Sequence, residues 1–117
     1  MRREQQSLEL MRALDAEQET QRLKMGDNLA IARPIDHFLY FRSKKDAESA
    51  SLELLDQGFK VKITREHFFD WLLEAQNESD IELVTIDALA DWMFAFAQRH
   101  DGIYDGWGAP VILKGAP

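Results

Sequence analysis

From Ile35 to Phe41 the side chains alternate. Ile35, His37, Leu39 and Phe41 fall on one side, and Asp36, Phe38 and Tyr40 on the other. That is the period of a strand, and Pro34 stands at its start, where a missing amide donor does least harm. A second alternation sets Phe59, Val61 and Ile63 against Lys60, Lys62 and Thr64, which predicts a half-buried strand with a basic outer face. Phe69–Gln76 follows as a less regular strand, antiparallel to it, with a short helix at Phe68–Glu74 as the alternative and turn chemistry at Asn77–Asp80. A last strand, irregular around its glycines, is expected between Tyr104 and Leu113.

Between these runs the period changes to that of a helix. Ser43 is placed to cap a helix at about 44–57, with Asp46 three residues on and Gly58 where a left-handed residue belongs. Its apolar face is Ala47, Ala50, Leu54 and Leu55. Thr85 is the expected cap of the strongest helix, Ile86–Arg99, with Asp87 near its positive end. Ile86, Leu89, Ala90, Met93, Phe96 and Ala97, flanked by Trp92 and Phe94, cover about half its circumference at 100° per residue. So wide a face predicts neighbours on more than one side: the sheet and an N-terminal helix. Residues 4–24 supply that helix, rich in Glu, Gln, Arg and Leu. Its stripe of Leu8, Met11 and Leu14 is thinned by Gln18, Gln21 and Arg22, so it is expected to lie on the domain.

The order is therefore α, then β-α-β-β-α-β. This predicts one α+β domain over 1–117, with a ferredoxin-like split β-α-β core at 33–113 and an added helix at 4–24. Right-handed crossovers put both core helices on one sheet face. The other face would carry Lys60, Lys62 and Glu74, unless the N-terminal helix covers it.

Charge narrows the choice of partner. Of the net −7, residues 1–30 hold −1, residues 31–70 hold 0 and residues 71–117 hold −6. A nucleic-acid ligand needs cations to displace phosphate counterions, so no direct nucleic-acid partner is expected. A basic protein partner is favoured. Met1-Arg2-Arg3-Glu4-Gln5-Gln6 does not lead into an apolar core, so a signal peptide is not expected. The sequence holds no cysteine, hence no disulfide and no thiolate, which suits a cytoplasmic location.

The chemistry-bearing residues do not converge on catalysis. His37, His67 and His100 share no metal-ligand spacing, and structural roles are expected for all three. Gly102, Gly106 and Gly108 match neither a P-loop nor a dinucleotide fingerprint. Glu74, Glu78, Asp80 and Glu82 lack the spacing of a calcium loop. No nucleophile elbow marks Ser43 or Ser79. No enzyme, metal or cofactor is expected.

One segment stands apart. Gly102-Ile103-Tyr104-Asp105-Gly106-Trp107-Gly108 packs aromatics, an acid and glycines together. It reads either as a bulged strand with Tyr104 and Trp107 turned inward, or as an exposed aromatic anchor for a partner. A small-ligand or enzymatic pocket at Tyr104, Asp105 and Trp107 is a further alternative.

Tyr104-Asp105-Gly106-Trp107-Gly108 resembles the Tyr-Asp-Gly-Trp-Gly signature of the family called regulator of ribonuclease E activity B (RraB). Ile35-Asp36-His37-Phe38-Leu39-Tyr40-Phe41 is similar to that family's first strand, and Leu54-Leu55-Asp56-Gln57-Gly58-Phe59-Lys60-Val61 to its next helix–strand step. The helix Asp87 to Arg99 and the N-terminal helix have counterparts, so the similarity spans roughly residues 4–113. The resemblance implies a ferredoxin-like α+β fold and a non-catalytic, cytoplasmic regulator of RNA degradation. Such a regulator binds the arginine-rich scaffold region of ribonuclease E and inhibits the enzyme. The best-known members end in a long acidic tail, whereas this sequence ends Lys114-Gly115-Ala116-Pro117. A different protein partner is the alternative within the family. The candidate partner-binding residues are Tyr104, Asp105, Gly106, Trp107, Glu74, Glu78, Asp87 and Asp91.

Overall fold

The computed structural model describes residues 4–66 and 70–113. His67, Phe68, Phe69 and the Lys114–Pro117 tail lie outside the described residues. The elements run α1 (Leu8–Lys24), β1 (Arg33–Phe41), α2 (Lys44–Asp56), β2 (Lys60–Glu66), β3 (Asp70–Ser79), α3 (Leu83–Arg99) and β4 (Ile103–Gly108). The strands form one antiparallel sheet in the order β2-β3-β1-β4. This is the ferredoxin-like α+β arrangement with an added N-terminal helix.

The strand alternation decides what the helices bury. Leu39, Phe41, Leu73, Ala75 and Tyr104 meet Ala47, Ala50 and Leu54 of α2 and Met93, Phe96 and Ala97 of α3 in one core. Side chains such as Leu54, Leu73 and Phe96 are fully buried, each worth about 1.5–3 kcal/mol relative to exposure. Asp36, Phe38, Glu74, Gln76, Lys60 and Lys62 therefore point to the opposite face, with Lys62 directly across from Glu74. The α1 helix packs against α3 on the helical side. This accounts for the wide apolar face of α3.

The helix signals fare unevenly. Ser43 caps α2 by accepting the Asp46 amide at 3.0 Å, and Gly58 takes φ +94° after the helix end. Thr85 does not cap α3. The helix begins earlier, with Glu82 as cap residue and no side-chain cap bond. Asp80 accepts the Glu82 amide at 3.0 Å and holds the backbone just before the first turn.

The expected turn at Asn77–Asp80 is largely strand. Pairing with β1 continues through Ile35↔Asn77 and Arg33↔Ser79, so tertiary pairing overrides the local turn preference. In contrast, β4 stops at Gly108 rather than Leu113. The Ala109 and Pro110 carbonyls accept arginine side chains instead of joining a ladder. Asn28 N donates to Ile112 O at 2.8 Å, tying this last stretch to the loop after α1.

Candidate functional site

Leu39 pairs with Tyr104 and His37 with Trp107. On β1 Phe38 alone separates His37 from Leu39, while on β4 Asp105 and Gly106 separate Tyr104 from Trp107, giving a bulge in β4. In a regular strand, residues three apart face opposite ways. The extra residue turns both Tyr104 and Trp107 toward the helices. Gly106 adopts φ +101°, a conformation that a side chain would strain. At Gly102 a Cβ would land on the Phe41 ring, so glycine is needed for close approach.

Tyr104 is core, 1% exposed. Its hydroxyl lies 3.0 Å from His37 Nδ1, and His37 Nε2 lies 2.7 Å from Asn77 Oδ1. An amide oxygen can only accept, so Nε2 carries the imidazole proton and Nδ1 accepts from the phenol. Burial lowers the His37 pKa below its usual value, although Asn77 opposes the shift. Burial also pushes the Tyr104 phenol far above its ordinary range. His37 is thus a satisfied structural histidine, as its position on the strand implied.

Edge strand β4 is closed by a side chain. The Gln5 amide donates to Tyr104 O at 2.9 Å and accepts from Tyr104 N at 2.8 Å. It reproduces, at one residue, the pairing of a further strand.

Trp107 is half-buried against Ile35, Ile81 and Ile86. Its indole Nε1 donates to Asp15 Oδ1 at 2.9 Å. The Arg22 guanidinium lies over the ring, 5.4 Å from its centre. Arg22 and Arg33 converge on the fully buried Asp27, at 3.0 and 2.7 Å. Burial would raise the Asp27 carboxyl, but hydrogen bonds from Arg33 and Arg22 outweigh it and hold the pKa below the usual value.

Asp15 has no such pairing. It is 7% exposed, and its Oδ2 has no hydrogen-bond partner. Burial is the main cause of a raised pKa; the Trp107 bond opposes it, while Asp87 and Asp91 add to it. Those two acids project from α3 toward α1, and each also has a buried oxygen without a partner. Arg12 pairs with Asp91 at 2.6 Å. A cleft of about 220 Å³ opens beside this seam, lined by Gln6, Met11, Leu14, Asp15, Gln18, Asp105, Gly106 and Trp107.

The candidate residues from the sequence therefore divide. Asp105, Gly106 and Trp107 meet at the cleft, and Asp87 and Asp91 lie on the adjoining seam. Tyr104 supports the cleft from inside the core. Glu74 and Glu78 sit on β3, away from it. Asp15, Arg22, Asp27, Arg33 and Gln5 are not among the candidates that the sequence marks. A signal existed for two of them. Leu8, Met11, Asp15 and Arg22 recur at helical spacing on one side of α1, so polar residues occupy its inward stripe.

His100 ends α3 and lies 2.6 Å from Glu53, which Arg99 also contacts at 3.2 Å. Among the described residues, no group of three or more acids or histidines is placed to hold a metal ion. No described helix is long and apolar enough to cross a membrane.

A family model described as Regulator of ribonuclease activity B (RraB) matches residues 14–109. The chain belongs to the RraB family. The matched span takes in the sheet, α2, α3, most of α1 and the bulge with Trp107. No curated protein matches the chain. Membership in this RraB regulator family supports a regulatory, protein-binding role.

Proposed function

We propose that this RraB-family protein is a non-catalytic cytoplasmic regulator that binds the basic scaffold region of ribonuclease E and inhibits the enzyme, slowing RNA degradation. The observation that carries this reading is the family match over residues 14–109. The charge distribution agrees with it. Residues 71–117 hold −6 of the net −7, and Asp87 and Asp91 from that stretch join Asp15 along the α1–α3 seam. A basic segment would relieve their mutual repulsion. The cleft beside the seam, at about 220 Å³, is smaller than the roughly 300 Å³ at which small-molecule pockets begin. That favours a macromolecular partner over a small-ligand or enzymatic module at Tyr104–Trp107.

The test is binding of the purified protein to the ribonuclease E scaffold segment at low and high salt. Contacts of this kind steer encounter and weaken as the Debye length falls from roughly 10 Å at 0.1 M to 3 Å at 1 M. Binding at low salt that fades at high salt, with slower ribonuclease E cleavage, is the expected result. Absence of binding at low salt would remove ribonuclease E as the partner.

A further inference from the structure

The Asp15 carboxylate presents an unusual combination of features. It is 7% exposed, it sits in the wall of a cleft, and one of its oxygens has no donor. Trp107 supplies a donor to Oδ1 only. A buried carboxylate oxygen without a donor forfeits the hydration it had in water and gains nothing in return. The nearby charges do not help. Asp87 and Asp91 raise the cost of ionising Asp15, and Arg12 is paired with Asp91. Among the described residues no cation donates to Asp15.

We infer that the cleft between α1 and β4 is the seat of a single arginine side chain from the basic protein partner, with its guanidinium donating to Asp15 Oδ2. This rests on the protein-binding reading above and names the subsite.

Three features select the chemistry. The cleft is lined by Met11, Leu14 and Trp107, which suit an aliphatic stem, and by the carboxyl groups of Asp15 and Asp105 and the amides of Gln6 and Gln18. The molecule already holds an arginine in this way within its own chain. Arg22 lies 5.4 Å over the Trp107 ring and is bonded by Gln18 Oε1 at 2.8 Å. A planar guanidinium stacks on aromatic faces and forks to carboxylates, whereas an ammonium does neither as well. Oδ2 is shielded from water, so the incoming group must displace side chains of the cleft wall to reach it.

The experiment titrates the full isotope-labelled chain with hexa-arginine and, separately, hexa-lysine, and follows the Trp107 indole N–H resonance. The inference expects a saturable shift of that resonance with hexa-arginine and at least a five-fold weaker response to hexa-lysine. In Asp15→Asn, which keeps an acceptor for Trp107 but removes the charge, hexa-arginine affinity should drop about ten-fold. In the double variant Glu48→Gln, Asp56→Asn, which removes two exposed acids of α2 outside the cleft, it should change less than two-fold. A Trp107 resonance that does not move with hexa-arginine overturns the inference, and so does an Asp15→Asn protein that is folded and binds as tightly as wild type. Should Asp15→Asn fail to fold, the arginine-over-lysine preference at Trp107 in the wild type decides alone. Ribonuclease E scaffold that binds without moving the Trp107 resonance refutes the cleft and spares the partner. Scaffold that fails to bind, while hexa-arginine moves Trp107, refutes the partner and spares the cleft.

Discussion

Trp107 and Asp15 lie 92 positions apart in sequence, and a 2.9 Å hydrogen bond joins the indole of one to the carboxylate of the other. This bond fastens α1 to the edge of the sheet. It also divides the work of the Tyr104–Gly108 signature. Tyr104 builds the core, while Trp107 holds the helix and forms one wall of the cleft.

Trp107→Phe keeps most of the ring but deletes the donor. It leaves both Asp15 oxygens unsatisfied, so it should cost about 1–3 kcal/mol in urea unfolding. Asp15→Ala, Trp107→Phe and the double variant together should give a coupling energy of about 0.5–3 kcal/mol. Strict additivity would show that the bond contributes nothing.

His37 is held neutral in the fold, because burial lowers its pKa from 6.5. The unfolded chain then binds more protons than the folded one as pH falls through that value. The His37 contribution to stability should be complete above the unfolded pKa and decline as pH drops below about 6.5 toward the depressed folded value. The melting temperature of the wild type should fall between pH 7 and 5. His37→Gln should flatten that slope even if it lowers stability throughout. An unchanged slope would remove His37 as its source.

Gly106 at φ +101° carries the bulge. Gly106→Val should cost about 1–3 kcal/mol, seen as a lower urea midpoint at unchanged m value. It should also disturb the Trp107 indole resonance more than the resonances of α2, because the bulge sets the direction of Trp107. A midpoint within experimental error of wild type would show that the conformation is easily tolerated.

Arg33 is fully buried against Asp27 and bonds the Ile31, Asn28 and Pro110 carbonyls as well. Arg33→Met removes the principal counter-charge of a buried carboxylate and should cost on the order of 3–5 kcal/mol. Calorimetry of Arg33→Met beside Arg12→Met makes the comparison internal. Arg12 pairs with Asp91 at an exposed position, and its loss should lower the melting temperature far less.

Much of the architecture was legible from periods alone. Alternation at Ile35–Phe41 and Phe59–Thr64, helical spacing in α2 and α3, and the Ser43 and Gly58 signals each rest on local chemistry that the sequence states directly. So does the topology, since element order and the handedness of crossovers leave few arrangements. Element ends were less legible where distant residues decided them. Asn77 became strand because Ile35 was there to pair with it, and β4 ended early because Arg22 and Arg33 claimed the carbonyls at 109 and 110.

The candidate cleft depended still more on tertiary structure. The sequence marked Tyr104, Asp105, Gly106 and Trp107 as unusual, yet left open whether the aromatics face inward. The bulge answers this by adding one residue opposite Phe38. Asp15 looked like an ordinary polar residue in a polar helix. Its character comes from burial against α3 and β4, from a tryptophan donor 92 positions away and from two acids on another helix. The sequence alone determined which local conformations are favourable. Only the fold brought Asp15, Trp107, Asp87 and Asp91 together, because the energy of a buried charge depends on neighbours that the chain delivers from afar.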